Sequence, residues 1–260
     1  HVVQAAPRGT GDAVKATAPA LQGFDGDVLV LYGDTPLITA ATVETLLTAR
    51  GQAQAPDIVV AGMRLAEPGG YARLITDGDG GLQAIVEARD CSEAQRAVTF
   101  LNAGPVVCAA DRLFALLGAV DSDNAQKEYY LTSIVAIAKR LGLACRAVEV
   151  PADEMAGAND RAELAHIEAL MQHRLRAAMM RSGVSLQAPE TVFFAADTRI
   201  GRDSSVGPYV VFGPGVSVGR NVEILGFSHI SGARIGDHAR IGPFARLRPG
   251  ADLGADVHIG

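Results

Sequence analysis

The chain has 260 residues, of which 48% are apolar and 20% charged, and its net charge is −6 from 23 basic and 29 acidic side chains. These values are ordinary for a globular protein, and since no Lys/Arg cluster stands out we expect no nucleic-acid partner. No apolar run approaches the roughly 18 residues of a membrane span, and the first residues lack the features of a signal peptide, so we expect no membrane partner.

Residues 1–155 have the pattern of an α/β fold. Continuous apolar runs bounded by turn signals predict buried strands, which we expect to be parallel. Helical patterns at Ala41–Ala49 and Tyr130–Arg140 alternate with these runs, and this alternation predicts a doubly wound sheet. The clearest predicted strands are Val28–Tyr32, Ile58–Gly62, Pro105–Ala109 and Cys145–Val150.

A hairpin is predicted inside this region. Tyr71–Ile75 and Leu82–Glu87 flank residues 76–81, a turn rich in Asp and Gly, which tolerate positive φ. The three cysteines, Cys91, Cys108 and Cys145, are far apart and form no C-x-x-C pair. We therefore expect reduced, buried thiols of a cytosolic protein.

Residues 160–181 have the pattern of one long helix. Either Asn159 or Asp160 can cap its first turn, and Gly183 suits the position just past its end. Such a helix can join two domains. Its apolar stripe at helical spacing consists of Leu164, Ile167, Leu170, Met171 and Leu175.

From about residue 190 an apolar residue recurs at every sixth position, with one slip of register, and Gly commonly follows it. This hexapeptide repeat predicts a parallel β-helix of about four coils, in which each apolar residue points inward. A Gly-rich β-sandwich is the alternative. The repeated residues are Phe194, Ile200, Val206, Phe212, Val218, Ile224 and Ile230, and then Ile235, Ile241, Leu247, Leu253 and Ile259.

Both ends of the sequence suggest a piece of a longer protein. His1 opens a segment that has the character of mid-domain sequence, and the repeat continues to Gly260 without the capping element that solenoids normally need. We therefore expect further residues at each end.

Eight motifs occur in an order and spacing that resemble one family. They are QAAPRGTGDAV (4–14), LYGDTPLI (31–38), GGYARLI (69–75), IVEARD (85–90), LNAG (101–104), KEYYLTSI (127–134), GAND (157–160) and GPFARLRPGA (242–251). The chain resembles, over essentially its whole length, the bacterial bifunctional N-acetylglucosamine-1-phosphate uridyltransferase / glucosamine-1-phosphate acetyltransferases. The resemblance implies a Rossmann-like nucleotidyltransferase domain over 1–158, a linker helix over 159–183 and a left-handed β-helix over 190–260.

The resemblance also implies two reactions that supply UDP-N-acetylglucosamine for cell-wall precursors. One acetylates glucosamine-1-phosphate from acetyl-CoA, and the other transfers UMP from UTP to N-acetylglucosamine-1-phosphate with release of pyrophosphate. In the second reaction the sugar phosphate attacks the α-phosphorus directly, so the protein supplies positioning and charge neutralisation. A cytoplasmic homotrimer is implied as well.

The family pattern makes Asp34 and Asn159 ligands of Mg²⁺. Asp34 follows a predicted strand, and ligands of open α/β sheets lie beyond the carboxyl ends of strands. The alternative for Asp34 is a cap of the turn before Pro36, and for Asn159 a cap of the following helix. At GAND the sequence departs from the commoner version of this motif in the family, which is richer in Asn.

Other residues match the family's substrate contacts. Gln4, Gly9 and Thr10 would hold the uracil base, and Tyr32 and Gly33 would line the nucleotide site. The N-acetylglucosamine moiety would contact Gly70, Glu87 and Asn102, although a solvated surface Glu is the alternative for Glu87. In the β-helix, Arg248 replaces the small residue after Leu247 and matches an Arg that holds the sugar phosphate. A solvated surface Arg is the alternative there.

We assign no catalytic residue. The family's Gly-rich phosphate loop and activating Lys would precede His1, and its catalytic His and most CoA contacts would follow Gly260. None of the histidines present matches the motif of that base: His1, His166, His173, His229, His238 and His258.

Two other classes share the architecture. One is a single-function sugar-1-phosphate nucleotidyltransferase with a regulatory β-helix, such as an ADP-glucose synthase, which would not be expected to carry GPFARLRPG. The other is a non-catalytic scaffold, as in some translation-factor exchange subunits. Loss of Asp34 or Asn159 would favour the scaffold, and both are present.

Overall fold

The computed structural model describes residues 1–52, 55–124 and 126–260. Its described residues divide into two compact units, His1–Asn159 and Asp160–Gly260. Each unit has its own hydrophobic core. The two units are therefore described separately.

The first unit is α/β, as the sequence predicts. Its described elements, in chain order, are α1 (Thr10–Lys15), β1 (Asp27–Val30), α2 (Ala40–Arg50), β2 (Ile58–Arg64), β3 (Arg73–Thr76), β4 (Leu82–Val86), α3 (Glu93–Arg96), β5 (Phe100–Ala109), α4 (Ala110–Gly118), α5 (Ser133–Arg140) and β6 (Cys145–Glu149). Short 3-10 helices lie at Ala18–Leu21 and Ala152–Glu154. The predicted hairpin is confirmed as the antiparallel pair β3–β4.

Strand β5 lies at the centre of the sheet that the described residues form. One edge of β5 pairs with β2 along most of its length. The other edge pairs with β1 over residues 106–109 and with β3 at Leu101. Strands β4 and β6 lie outside β3 and β2 respectively. Residues 102–105 of β5 therefore lie between the end of β1 and the start of β3.

The prediction of parallel strands is wrong for β5. Strands β1, β2 and β3 all pair with β5 in antiparallel fashion, whereas β2 and β6 are parallel. A continuous apolar run indicates that a strand is buried on both of its faces. It carries no information about whether that strand is parallel or antiparallel to its neighbours. The β3–β4 hairpin reverses the chain between β2 and β5, and β5 consequently runs opposite to β2.

Helices cover both faces of this sheet. Helices α4 and α5 pack on one face, against Ile58, Val106 and Cys108, and α2 packs on the other, against Val59 and Val107. This arrangement explains why the strands are apolar at successive positions. The prediction of reduced, buried thiols is confirmed, since the described cysteines are buried and unpaired.

The second unit begins with helix α6 (Arg161–Arg181). The Asp160 side chain caps it by accepting hydrogen bonds from Ala162 N and Glu163 N, both at 2.8 Å. Of the two caps that the sequence allows, Asp160 is therefore the one used. Leu175 and Met179 of α6 pack against the core of the β-helix that follows.

The repeat forms a parallel β-helix, as predicted. The two-residue strands β7–β18 make three parallel sheets within residues 160–260, all of which are described. We call them sheet 1 (β7, β9, β12, β15, β18), sheet 2 (β10, β13, β16) and sheet 3 (β8, β11, β14, β17). The strands are β7 Ser185–Leu186, β8 Arg199–Ile200, β9 Ser205–Val206, β10 Val211–Phe212, β11 Ser217–Val218, β12 Glu223–Ile224, β13 His229–Ile230, β14 Arg234–Ile235, β15 Arg240–Ile241, β16 Arg246–Leu247, β17 Asp252–Leu253 and β18 His258–Ile259.

The repeated apolar residues fill the interior of this β-helix. Phe194 stacks on Phe212 with ring centroids 5.1 Å apart, and Phe212 pairs in register with Ile230. The slip after Ile230 is absorbed without loss of register, because Val218 pairs with Ile235 just as Ile200 pairs with Val218.

Candidate functional site

The turn after β1 presents Tyr32, Gly33 and Asp34 at the edge of the sheet. Its closing contacts come from Thr35, whose backbone N–H and hydroxyl both donate to Tyr32 O, at 3.3 and 3.0 Å. Thr35 thus closes the turn, which was the alternative role for Asp34. The Asp34 side chain is exposed.

Tyr32 lies against the central strand. Its ring is so close to Gly104 that a Cβ atom at Gly104 would lie 2.7 Å from ring carbons, so a side chain there would displace the ring. Burial raises the pKa of Tyr32, and the nearby Asp34 and Glu87 carboxylates raise it further. The neighbouring Thr10 side chain acts in the opposite direction and lowers this pKa. Thr10, Tyr32, Asp34 and Glu87, which belong to three separate motifs, therefore come together.

The N-terminal segment is held near Tyr32 by backbone and side-chain hydrogen bonds to residues 129–131. Gly11 N donates to Tyr129 O at 2.7 Å, Tyr129 N donates to Arg8 O at 2.8 Å, and Leu131 N donates to the Thr10 hydroxyl at 3.1 Å. These contacts hold Thr10 beside Tyr32.

The Gln4 side chain is engaged within the same segment. Its amide group donates to the Asp12 carboxylate at 2.8 Å and, more weakly, to Gly9 O at 3.4 Å. Arg8 also donates to Asp12, and the hydrogen bonds from Gln4 and Arg8 lower the pKa of Asp12. Contact of Gln4 with a base would require this amide to turn, so its role stays a prediction.

Asn102 and Glu87 lie at the gap between β1 and β3. Asn102 N donates to Ala72 O at 2.8 Å, and the Asn102 side chain accepts from Gly104 N at 3.2 Å. Ala72, rather than Gly70, is the residue of its loop that meets Asn102, while Gly70 lies exposed before it. The half-buried Glu87 side chain accepts from the Thr132 hydroxyl at 3.3 Å.

Thr132 was not singled out in the sequence, although it lies within the KEYYLTSI motif. The sequence offered little indication of a functional role for Thr132, because a Thr just before a helix is ordinarily explained as a helix cap. In the structure Thr132 occupies the N-cap position of α5, but its side chain makes no capping hydrogen bond to the helix.

The segment that precedes α6 lies next to Asp34. Ala158 N donates to Asp34 O at 3.0 Å, and a Cβ at Gly157 would lie 3.9 Å from an Asp34 carboxylate oxygen. Asn159 is the next residue, and since Asp160 caps the helix, Asn159 is not needed there. A carboxylate and an amide carbonyl are hard oxygen donors, and a Mg²⁺ ion that keeps most of its waters needs few such ligands. The donor chemistry of Asp34 and Asn159 is compatible with that ion, and their role as its ligands stays a prediction.

A cleft of about 860 Å³ opens beside β1. Thr10, Tyr32, Gly33 and Asp34 line one part of it, and small aliphatic residues such as Val14 and Leu21 line another. In the described part of the chain no group of three or more His, Cys, Asp or Glu side chains could hold a metal ion. Any ion bound at Asp34 would therefore need water or substrate oxygens.

Arg248 belongs to the second unit. It is exposed in the corner that follows β16, and its carbonyl accepts from Ala251 N at 3.1 Å. This guanidinium is available to an anionic ligand. Across residues 1–52, 55–124 and 126–260, no helix combines the length and the apolar character needed to cross a membrane.

The model of the bacterial transferase hexapeptide (six repeats) family matches residues 197–232. Many curated proteins match over most of the chain. Identity is 51% over 231 residues with the bifunctional protein GlmU of Paramagnetospirillum magneticum, covering 89% of this chain and 51% of that protein. It is 54% over 232 residues with GlmU of Rhodospirillum rubrum, covering 89% and 52%.

The match to GlmU of Ruegeria sp. extends over the whole chain, at 49% identity over 259 residues and 57% of that protein. The chain thus spans about half the length of the curated relatives it matches. A solved structure of CMP:2-keto-3-deoxy-manno-octonic acid synthetase complexed with CTP has a TM-score of 0.48 at 18% identity, covering 64% of this chain and 69% of that one. That similarity is too distant to carry a functional inference.

Proposed function

Because the chain belongs, over the half of their length that it spans, to the family of the bifunctional GlmU proteins, we propose that its first unit serves uridylyl transfer from UTP to N-acetylglucosamine-1-phosphate. The products would be UDP-N-acetylglucosamine and pyrophosphate. The observation that supports this is the cleft beside β1, which Thr10, Tyr32, Gly33 and Asp34 line together. These residues come from motifs that are far apart in sequence.

Each residue has a role in this proposal that its chemistry allows. Gly9 and Thr10, with Gln4, hold the uracil base, and Tyr32 and Gly33 line the nucleotide site. The hydroxyl of Tyr32 can donate a hydrogen bond, and burial, which raises its pKa, favours this protonated form. Glu87 accepts from sugar hydroxyls, and the Asn102 amide can both donate and accept. Gly70 would leave room for the sugar.

Asp34 and Asn159 would hold Mg²⁺, whose charge would offset that of the reacting phosphates. Asp34 is positioned for this by the Thr35 turn on one side and by the Ala158 hydrogen bond on the other. The reaction needs no nucleophile from the protein, since an oxygen of the sugar phosphate attacks the α-phosphorus in line as pyrophosphate leaves. In this proposal the residues of the first unit position UTP and the sugar phosphate for this attack.

The second unit is proposed to contribute to acetylation of glucosamine-1-phosphate by acetyl-CoA. Arg248 would bind the sugar phosphate, since a guanidinium presents a fixed fork of donors that matches phosphate oxygens. We further propose that the protein works as a homotrimer in the cytoplasm, upstream of cell-wall precursors.

The uridylyl-transfer proposal is tested in a full-length protein in which this chain replaces the matching residues of a GlmU relative. With UTP, N-acetylglucosamine-1-phosphate and Mg²⁺, we expect Asp34→Asn to lower the rate of UDP-N-acetylglucosamine formation by roughly 100-fold or more. Asp79→Asn, in the exposed β3–β4 turn, is the control and should leave the rate unchanged.

Other outcomes would point to the other classes. Turnover of ATP with glucose-1-phosphate in place of the UTP reaction would favour the single-function nucleotidyltransferase. A folded hybrid without any turnover would favour the non-catalytic scaffold.

A further inference from the structure

Two charged side chains are buried in the part of the chain that the structure describes. Arg73, at the start of β3, is 5% exposed, and Glu154 is 8% exposed. The Glu154 carboxylate is satisfied at the start of α2, where it accepts from the N–H and the hydroxyl of Thr39 at 2.9 and 3.1 Å. Arg73 forms no ion pair with any described residue. A buried cation without a counter-charge costs free energy, so its presence needs a reason.

The hydrogen bonds that the structure gives the Arg73 side chain all go to the loop that precedes β3. Its Nη1 atom donates to Gly69 O at 3.1 Å and also to Tyr71 O. Its Nε atom is buried and has no hydrogen-bond partner among the described residues. The pairing of β3 does not use this side chain, because the hydrogen bonds between strands come from the backbone. The guanidinium therefore serves residues 69–72, which we call the 69–72 loop.

These hydrogen bonds set the direction of two peptide groups in the loop. Both peptides are trans, and in a trans peptide the C=O of one residue and the N–H of the next point in opposite directions. Gly69 O and Tyr71 O are turned toward the guanidinium, so the N–H groups of Gly70 and Ala72 are turned away from it. The structure gives neither N–H an acceptor among the described residues, although Ala72 is 7% exposed. The loop therefore presents two unused donors.

The guanidinium and the Asn102 side chain lie on opposite faces of the sheet. Arg73 pairs with Leu101, whose side chain belongs to the core under α2. Paired residues project to the same face of a sheet and successive residues to opposite faces, so Arg73 lies on the α2 face and Asn102 on the other. Asn102 N donates to Ala72 O at 2.8 Å, which places the loop beside Asn102. Arg73 thus holds the loop from behind, and the unused donors turn toward the Asn102 side.

We propose that Arg73 is a positioning residue for the sugar substrate. It holds the two loop carbonyls and thereby orients the N–H donors of Gly70 and Ala72 toward the N-acetylglucosamine moiety, without touching the substrate itself. This role deepens the proposed function and rests on it, because Asn102 and the loop form the sugar side of the proposed site. The proposed uracil contacts come from residues 4–10, so Arg73 acts on the sugar phosphate and not on UTP.

Hydrogen exchange of the 260-residue chain, without substrates, tests whether Arg73 holds the loop. Arg73→Met keeps the length of the side chain and removes its donors. The amides of Tyr71 and Asn102, whose acceptors belong to residues 68 and 72, should then exchange roughly 10-fold faster or more. Arg146→Met is the matched control, since Arg146 is an exposed arginine of β6, and it should leave both exchange rates unchanged.

Steady-state kinetics separate positioning from a merely structural role. In the full-length hybrid that tests uridylyl transfer, Arg73→Met should raise the KM for N-acetylglucosamine-1-phosphate roughly 10-fold or more, while the KM for UTP and kcat change by less than about twofold. Arg73→Lys keeps the charge but ends one bond short of Nη1, so its effect should be smaller. Loss of folding alone would reduce the amount of active protein and leave both KM values unchanged.

Unchanged exchange in a folded Arg73→Met variant would overturn the proposal, as would an equal rise in both KM values. If that variant does not fold, Arg73→Lys carries the same two comparisons, and values equal to those of the unsubstituted protein in both would count against Arg73. A hybrid without turnover would instead refute the proposed function, and hydrogen exchange would still decide whether Arg73 orients the loop.

Discussion

At Gly9, two backbone segments of the first unit approach so closely that they leave no room for a side chain. Its φ is 115°, and a Cβ atom there would lie 2.6 Å from Tyr129 O and 2.8 Å from Tyr129 N. The adjoining hydrogen bonds to residues 129–131 position Thr10 beside Tyr32. Because Gly9 has no side chain, it allows the close approach to Tyr129 that positions Thr10 in the candidate site.

Gly9→Ala should therefore destabilise the first unit by more than the cost of positive φ alone, which is about 1–3 kcal/mol. Gly23→Ala is the matched control, because Gly23 has a φ of 78° but nothing within 4 Å of its added Cβ. Urea unfolding compares the two variants. Equal destabilisation would show that close approach to Tyr129 has no energetic role.

The buried thiols give a second prediction at this scale. Burial raises the pKa of Cys108 from 9.0 to about 12 and that of Cys145 to about 11. Both groups stay protonated at pH 8, so iodoacetamide should label them slowly in the folded chain and rapidly in urea. Labelling sites are read by peptide mass spectrometry, and rapid labelling of the folded protein would contradict the prediction.

The same shifts predict a dependence of stability on pH. The folded pKa lies above the unfolded one, so the contribution is fully present below pH 9 and is lost as pH rises toward the folded values of about 11 and 12. The free energy of unfolding should decline over that window. Replacing Cys108 by Ala should reduce the decline.

At the scale of elements, helix α6 is part of the unit that contains the β-helix, and it closes the first coil. The buried Gln172 side chain donates to Phe194 O at 2.8 Å and accepts from Phe194 N at 2.9 Å. Arg176 donates to Glu190 O and Val192 O, at 3.2 and 3.3 Å. The helix thus supplies the cap that an open solenoid end requires.

Gln172→Ala should consequently destabilise the β-helix. It leaves the N–H and C=O groups of Phe194 buried without these partners, at a cost of about 1–3 kcal/mol for each group. His173→Ala, at the exposed neighbouring position, is the control and should have little effect. Denaturant unfolding monitored by circular dichroism gives both values. Equal small effects would show that α6 does not hold the coil.

At the scale of the whole molecule, the cores are separate. The clusters around β2 and β5 lie within the first unit, and the cluster from Leu175 to Ile259 lies within the second. Units with their own cores can unfold as separate cooperative transitions.

Calorimetry should accordingly resolve two transitions. UDP-N-acetylglucosamine with Mg²⁺ should raise the midpoint of only one of them, since a ligand present at 100 times its Kd stabilises the unit that binds it by about 2.7 kcal/mol. Asp34→Asn should abolish that rise without moving the other transition. A single transition, or a ligand shift in both, would contradict the independence of the units.

The sequence alone determined the elements that depend on local pattern. Apolar runs gave the main strands, although they showed only the second half of β5, and sixfold spacing identified the β-helix because each inward residue stacks on its counterpart one coil away. The Asp–Gly turn located the hairpin, and the segment before α6 narrowed its cap to two residues. Each of these features leaves a pattern that repeats or ends within a few residues along the chain.

Only the tertiary structure decided what depends on distant pairs. Strand direction in the sheet follows from the reversal at the β3–β4 hairpin, and it cannot be inferred from burial. The contacts of Tyr32 with Gly104, of Thr10 with Leu131 and of Glu87 with Thr132 join segments that are far apart in sequence. The rings of Tyr209, Phe227 and Phe244, which are 18 and 17 residues apart in sequence, likewise stack on one another only because successive coils of the β-helix bring them together.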